Sequence, residues 1–319
     1  MTAVAIAALV VVVLIGGLAG FSVAAARRIE TIVPPQGGFL EVDGERLHVL
    51  DKGAGPPLVM IHGLGGQMGN LTHSLVGRLT QDFRVVAFDR PGSGYSTRRA
   101  GGQAGLEAQA ATLAKAIRKL KLDKPVVVGH SLGGAVALAL ALDHPDCVSA
   151  LALIAPLTHP IGTAPLVFRA LAIRSPFLRR LGAWTVATPG GLLFRNFSTR
   201  AVFAPEAPSA DFAVAGGGLL ALRPRNLEEA SADMIAVNDD LEPMTARYSS
   251  IAVPVGILYG RGDPLLNPAA QGESMKRILP SLDLEMVDGG HMLPMTQPDL
   301  CAAFIRRIAA KAKAVFASR

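Results

Sequence analysis

The sequence predicts an α/β fold with a mostly parallel sheet covered by helices on both faces. Short apolar runs, typical of buried strands, alternate along the chain with longer helical stretches. The chain has 319 residues, which is enough for one full core and an insertion. The predicted strands are residues 58–61, 84–88, 125–129, 148–154, 254–259 and 284–287, and the clearest predicted helices are residues 106–120, 135–142 and 299–316.

A long apolar segment opens the chain. Residues 2–26 contain no charged side chain, and Arg27 and Arg28 follow them. About 20 apolar residues cross a bilayer, whereas a signal peptide has a shorter apolar core that follows positive side chains. We therefore predict a transmembrane anchor over residues 1–28, with a cleaved signal peptide as the alternative. Arginines directly after the span favour a catalytic domain on the cytoplasmic side.

Two short strands with a tight turn between them begin the globular part. Residues 39–42 and 47–50 flank Asp43-Gly44, a pairing typical of a hairpin. The strand and helix alternation then runs to residue 154 and resumes after residue 250. We therefore divide the remainder into a core of residues 29–155 and 251–319, interrupted by an insertion of residues 156–250.

The strongest functional motif is Gly129-His130-Ser131-Leu132-Gly133. It lies between the predicted strand 125–129 and the predicted helix 135–142. A serine on such a sharp strand-to-helix turn is lifted clear of the sheet, and its glycine neighbours keep the backbone uncrowded. The motif predicts Ser131 as a nucleophile. The alternative is a glycine-rich turn in which the serine only caps the helix.

A nucleophilic serine needs a histidine base, and the base needs a carboxylate that orients it. In this arrangement the chain order is Ser, then Asp or Glu, then His. His291 is the predicted base because it lies in a loop after the strand 284–287. Asp263 is the predicted acid because it follows the strand 254–259, at the sheet edge where such folds place their active sites. Asp288 is a weaker alternative, since it is too close in sequence to orient that imidazole easily.

Backbone N–H groups should form an oxyanion hole beside Ser131. The first donor is Leu132, at the start of the helix, and the second is Leu64, in the loop after the strand 58–61. We expect His62 to shape that loop and not to act as a second base. His62, Gly63 and His130 are also candidate contacts for the substrate.

Together these motifs resemble the α/β-hydrolases, from about Gly38 to the C-terminus. The motifs occur in that family's order: His62-Gly63, residues 89–96, residues 129–134, residues 260–263 and Gly290-His291. The resemblance implies an eight-stranded type of sheet with an inserted helical cap. It also implies Ser131 as nucleophile, Asp263 as acid and His291 as base. The family's dehalogenases and epoxide hydrolases carry aspartate where this chain has Ser131, so those activities are disfavoured.

The insertion of residues 156–250 lies where this family commonly holds its cap. Residues 156–205 contain six arginines and no acidic residue, together with many large apolar side chains. One interpretation is a surface that docks on anionic lipid and leads acyl chains to Ser131. The other, which the sequence alone favours, is an ordinary cap whose apolar residues line the pocket and whose arginines are solvated.

These features predict a membrane-anchored serine hydrolase for small lipid-like esters, resembling membrane-anchored monoacylglycerol lipases. The alternatives are a carbon–carbon bond hydrolase or a cofactor-free haloperoxidase on the same triad, and a non-catalytic binding scaffold. The net charge of +6 suits an anionic membrane surface, but the scattered basic residues argue against nucleic acid. With only two cysteines and no metal-ligand spacing, we expect no metal and no cofactor. No obligate protein partner is evident.

Overall fold

A computed structural model describes residues 2–317 and contains one eight-stranded sheet. The strands are β1 (Gly38–Val42), β2 (Glu45–Lys52), β3 (Pro57–Ile61), β4 (Arg84–Phe88), β5 (Val126–His130), β6 (Ala150–Ile154), β7 (Val255–Gly260) and β8 (Asp283–Val287). Their order across the sheet is β1-β2-β4-β3-β5-β6-β7-β8. The strand β2 pairs antiparallel with β1 and with β4, and all other neighbours are parallel. The predicted fold class is confirmed.

Ten α-helices lie in the described residues 2–317, and some of them cover the two faces of the sheet while others form the segment between β6 and β7. They are α1 (Ala3–Ile32), α2 (Gly69–Leu79), α3 (Leu106–Lys119), α4 (Leu132–Asp143), α5 (Pro176–Gly182), α6 (Thr188–Phe203), α7 (Pro224–Thr245), α8 (Ser274–Ile278), α9 (Leu293–Thr296) and α10 (Pro298–Ala317). A π-helical turn, Ala183–Ala187, joins α5 to α6. The helix α2 was not among the predicted elements.

The core has two apolar layers, one on each face of the sheet. The first layer packs β-strand side chains against α3 and α4, and the second packs them against α2 and α10. Every residue of β5, β6 and β7 is buried, as expected for parallel strands covered on both sides. These central strands therefore form a rigid support for the loops at their carboxyl ends.

The segment between β6 and β7 contains helices and no strand of the sheet. We call this segment, residues 155–254, the cap. Its helix α7 packs against α3 of the core, and its helices α5 and α6 adjoin the π-helical turn. The cap is therefore a helical layer attached to the carboxyl edge of the sheet.

The N-terminal helix α1 divides into an exposed half and a packed half. Residues 3–17 are exposed, whereas Ser22 and Ile29 are buried against the cap. The Ser22 hydroxyl donates to the Thr185 carbonyl at 3.2 Å, and Glu30 pairs with Arg223 at 2.7 Å. Within residues 2–317, α1 is the one helix long and apolar enough to cross a membrane, a test that a signal sequence also passes.

Candidate active site

Ser131 occupies a strained turn between β5 and α4. Its φ of 55° and ψ of −122° are unusual for a residue with a side chain. The turn closes only because its flanking residues are glycines: a Cβ at Gly133 would lie 2.2 Å from the Ile61 carbonyl oxygen, and one at Gly129 would lie 2.6 Å from the Gly133 carbonyl oxygen. The sequence motif therefore has a steric reason, and it presents the Ser131 hydroxyl at the carboxyl edge of the sheet.

His291 is held by Asp263. The Nδ1 atom of His291 lies 2.7 Å from Oδ2 of Asp263, and both side chains are buried. The other carboxylate oxygen accepts the backbone N–H groups of Leu265 and Leu266 at 2.8 and 3.0 Å, so the carboxylate cannot rotate freely. With Nδ1–H bound to this carboxylate, Nε2 of His291 is left to accept a proton.

Asp288, the weaker acid candidate, lies elsewhere. Its side chain is exposed, and its charged neighbour is Arg261 at 3.8 Å. The acid that contacts the His291 ring is Asp263.

Ser131 and His291 line the same cavity, which has a volume of about 1110 Å³. Gly63, Leu64 and His130 also line it. The loop after β3 approaches the nucleophile so closely that a Cβ atom at Gly63 would lie 2.9 Å from Cβ of Ser131. A second, small cavity of about 40 Å³ is lined by Ser131, His291, Leu64 and Leu132. The two predicted oxyanion-hole residues thus both adjoin the serine.

His130 supports the loop that carries the base. Its Nε2 atom donates to the His291 carbonyl at 3.0 Å, and the two rings lie 4.9 Å apart between centroids. Burial, helped by the nearby His291, lowers the pKa of His130 to about 3. His130 is therefore neutral at ordinary pH and lines the cavity as a hydrogen-bonding support.

His62 lies behind the cavity wall and is not among the residues that line the cavity. Its Nδ1 atom donates to the Gly63 carbonyl at 2.9 Å, and its Nε2 atom accepts the backbone N–H of Arg90 at 3.0 Å. Burial and the charge of Arg90 lower its pKa to about 3. With both ring nitrogens hydrogen-bonded, His62 shapes the loop after β3.

Arg90 is the residue that the sequence analysis missed. Its guanidinium is fully buried, and it donates to the carbonyls of His62 and Gly63, each at 3.0 Å. It also donates to the side chains of Gln109 and Asp233, each at 2.7 Å. Because Asp233 belongs to α7, Arg90 ties the loop beside Ser131 to the cap. The only sequence signal for Arg90 is its place in the motif of residues 89–96, a loop that the family resemblance places near the site and to which the sequence assigns no chemistry.

The cavity wall above Ser131 is mainly apolar and comes from the cap. Its large side chains include Val167, Phe168, Leu171, Val186, Phe194 and Leu222. Ile32, at the end of α1, contributes to the same wall. A mostly apolar cavity with a few convergent polar groups is typical of a site for a small organic ligand.

Comparisons with known proteins agree with this architecture. A family model described as the alpha/beta hydrolase fold matches residues 56–298. The magnesium-chelatase 30 kDa subunit of Rhodobacter capsulatus is 32% identical over 254 residues, covering 77% of this chain and 84% of that protein. A provisionally named carbamate hydrolase of Enterobacter cloacae is 31% identical over 251 residues, covering 76% and 87%.

Among solved structures, an esterase from Thermogutta terrifontis superimposes with a TM-score of 0.68 at 24% identity, covering 86% of this chain and 99% of that one. The matched span of the family model includes both the core motifs and the cap. The resemblance found in the motifs is thereby confirmed, and the chain belongs to the α/β-hydrolase family and is a hydrolase by fold and relatives.

Proposed function

We propose that this protein is a serine hydrolase that cleaves carboxylic esters through an acyl-enzyme on Ser131. One observation carries the proposal: Ser131 lies on a strained turn in the same cavity as His291, whose ring is fixed by Asp263 at 2.7 Å. A serine, a free imidazole nitrogen and a buried carboxylate in that order are the groups that acyl transfer requires.

In the acylation step, Nε2 of His291 takes the proton from Ser131 while Oγ attacks the ester carbonyl carbon. The negative charge that develops on the carbonyl oxygen is stabilised by the backbone N–H groups of Leu64 and Leu132. Asp263 stabilises the imidazolium that forms. His291 then gives its proton to the departing alcohol, and the acyl group remains on Ser131.

In the deacylation step, water takes the place of the alcohol. His291 accepts a proton from the water, which attacks the acyl-enzyme, and the same N–H groups hold the second oxyanion. The collapse of this intermediate releases the acid and returns the proton to Ser131. Neutral His62 and His130 do not compete as bases, because burial keeps the pKa of each at about 3.

The cavity and α1 support the proposed substrate class. An apolar wall and a volume of about 1110 Å³ suit an ester with a long apolar acyl chain, such as a monoacylglycerol or similar small lipid. We propose that α1 anchors the enzyme in a membrane, where such substrates are found. Arg27 and Arg28 follow the apolar segment and favour a cytoplasmic catalytic domain, which protease protection in sealed vesicles would test.

The nucleophile is tested by intact-mass measurement after treatment with a fluorophosphonate probe. The wild-type chain should gain one adduct, and Ser131→Ala should gain none. Ser198→Ala is the matched control, because Ser198 lines the same cavity but lies on α6, away from the turn. A wild-type chain without adduct, or an adduct retained in Ser131→Ala, would contradict the assignment. The unlabelled mass also reports whether residues 1–28 are retained.

The reaction is tested with esters of graded acyl length, together with a carbamate, a ring-cleavage dienone and a peracid-formation assay. We expect the highest kcat/KM for an ester with a medium or long acyl chain, and Ser131→Ala should abolish it. Preferred cleavage of the dienone would identify a carbon–carbon bond hydrolase. Inertness towards every substrate and towards the probe would favour a binding scaffold.

A further inference from the structure

The uninterrupted exposed stretch of α1 is too short to cross a bilayer by itself. Residues 3–17 are exposed and extend about 22 Å at 1.5 Å per residue. The hydrocarbon layer of a membrane is about 30 Å thick. Of the next residues, 18 and 19 are half-buried and Ser22 is buried against Thr185 of the cap, whereas Gly20 and Phe21 stay exposed. A span of about 20 residues would include Ser22. Immersing Ser22 would bring the adjacent part of the cap, around Thr185, to the membrane.

The cap presents apolar side chains at this position. The π-helical turn Ala183–Ala187 and the helix α6 pack directly against α1, and α5 adjoins the turn. Phe177 and Leu193 are 72% and 77% exposed, which is costly in water. We call the exposed set the membrane patch: Leu166, Phe177, Leu178, Val186, Leu193, Phe194 and Phe197.

Most of the membrane patch lies on consecutive helical segments of the cap. Leu193, Phe194 and Phe197 are spaced so that they share one face of α6. Phe177 and Leu178 lie on α5, and Val186 lies on the turn that connects α5 with α6. Leu166 lies on a short helical turn, residues 166–171, that contacts α6. Because α1 packs against the π-helical turn and α6, these exposed side chains lie on or next to the cap segments that hold the anchor helix.

Arginines alternate with these apolar residues along the chain. Residues 156–205 carry six arginines and no carboxylate. In the described part of the chain, none of the six forms an ion pair with an acidic side chain. Long arginine side chains can place their charge among anionic headgroups while their stems lie along apolar surface. The arginines are Arg169, Arg174, Arg179, Arg180, Arg195 and Arg200.

The same surface adjoins the cavity. Val186 and Phe194 belong to the membrane patch and also line the cavity that holds Ser131. Arg179 and Arg195 line it as well. An ester in the membrane could therefore pass from the bilayer into the cavity between apolar side chains, without exposing its acyl chain to water.

We propose that the membrane patch is immersed in the surface of the same anionic phospholipid bilayer that α1 crosses, and that the cavity opens toward this bilayer. The inference about substrate entry rests on the proposed ester hydrolysis. The immersion itself rests only on the length of α1, its packing against the cap and the exposed apolar side chains.

The immersion is tested on the full chain in proteoliposomes of phosphatidylglycerol and phosphatidylcholine. A Phe197→Cys variant is labelled with a fluorophore, since Cys147 and Cys301 are buried. Asp123→Cys is the control, because Asp123 precedes β5 and lies at the opposite end of that strand from Ser131. We expect the label at 197 to be quenched by nitroxide on lipid acyl chains and shielded from aqueous iodide, and the control to behave in the reverse way.

Two results would overturn the immersion. Quenching at 197 by iodide, as at 123, would place the patch in water. Shielding from both quenchers would mean that protein, such as a second copy of the chain, covers the patch. A third result bears on the arginines. If nitroxide on the acyl chains quenches the label at 197 equally well in vesicles of pure phosphatidylcholine and in vesicles with phosphatidylglycerol, the anionic headgroups are not needed, and the proposed role of the arginines is wrong.

Substrate entry is tested by the variant Phe177→Ser/Leu193→Ser, whose changes lie outside the cavity lining. Hydrolysis of a long-chain ester in vesicles should fall about tenfold, because less apolar surface is available for immersion, while hydrolysis of a short soluble ester should not change. Phe39→Ser, an exposed aromatic position on β1, is the control. Equal rates of vesicle hydrolysis in the variant and the control would overturn the entry route. If the wild-type chain hydrolyses neither ester, the proposed function fails, and the quenching result still decides the immersion.

Discussion

Replacing Asp233 with Asn should weaken both the attachment of the cap and the loop beside Ser131. The Asp233 carboxylate is 1% exposed and binds Arg90 at 2.7 Å and Arg98 at 2.6 Å. Asparagine keeps the shape of the side chain but removes its charge. Two buried guanidinium groups would then lose their shared counter-ion.

Breaking a buried ion pair by neutralising one partner costs about 3–5 kcal/mol. The lower end of that range applies here, because Arg90 keeps its bonds to His62, Gly63 and Gln109, and Arg98 keeps Glu229. A loss of about 3 kcal/mol lowers the ratio of folded to unfolded protein roughly a hundredfold. We also expect kcat for a soluble ester to fall about tenfold, less than the loss of a whole oxyanion donor, because Arg90 positions the carbonyl of Gly63, next to Leu64.

The measurement is urea unfolding of the full chain in detergent, with kcat and KM determined on the same preparations. Asp239→Asn is the matched control, since Asp239 is an exposed residue on the same helix α7, and it should change the unfolding free energy by less than about 0.5 kcal/mol. If Asp233→Asn unfolds within about 1 kcal/mol of the wild-type chain, the buried pair is not the main attachment of the cap. An unchanged kcat alongside a large loss of stability would separate Arg90 from catalysis.

Three further substitutions test the site. Asp263→Asn should lower kcat roughly 10⁴-fold with the fold retained, because the amide no longer holds Nδ1–H of His291; near-normal ester turnover would contradict this. Gly63→Ala should lower kcat with little loss of stability, since the new Cβ would lie 2.9 Å from Cβ of Ser131, and an unchanged kcat would contradict the close approach. Burial lowers the pKa of His130 from 6.5 to about 3, so the unfolded chain is protonated first as the pH falls, and stability present above about pH 6.5 is lost toward pH 3. In His130→Gln the slope of unfolding free energy against pH should decrease by about 1.4 kcal/mol per unit between pH 6 and 4, and an unchanged slope measured by urea unfolding would contradict the shift.

Strands were predicted best where the apolar run and the hydrogen-bonded ladder coincide. The prediction of residues 84–88 matches β4, whereas the run 148–154 begins two residues before β6. The backbone N–H groups of Val148 and Ser149 bond to Pro145 and Pro125, outside the ladder of β6. Apolar character alone does not reveal where pairing with the neighbouring strand begins.

The helix α2 shows the opposite failure. Its buried residues Leu71, Leu75 and Leu79 have helical spacing, but threonine, histidine and glycine interrupt the pattern. These residues have low helix propensity, so the segment does not stand out from a loop in a single sequence. Packing of its apolar side against β-strands and α10 stabilises the helix in the folded chain.

The site was predictable in its order along the chain but not in its supports. Ser131, Asp263 and His291 each follow a strand, and the parallel sheet brings the carboxyl ends of those strands to one edge. Arg90 and Asp233, by contrast, are 143 residues apart in the chain, and Asp233 lies on a helix of the cap. Nothing in their local sequence specifies that partnership, because it depends on how the cap packs against the core.

The helix α1 is packed into the cap instead of being joined to it by a flexible linker. Ile29 and Val33 form a small apolar cluster with Leu220 of the cap, and Ser22, nearer the N-terminal end of the helix, is buried against Thr185. A flexible tether would allow the hydrolase to rotate freely above a membrane, whereas a packed helix fixes the face that it turns toward the lipid. Because Ile32 also lines the cavity, the proposed anchor ends at the wall of the chamber that would receive the acyl chain. The packing of α1 therefore links the proposed membrane location to the proposed substrate, because a helix that entered the bilayer would also set how the cavity is presented to it.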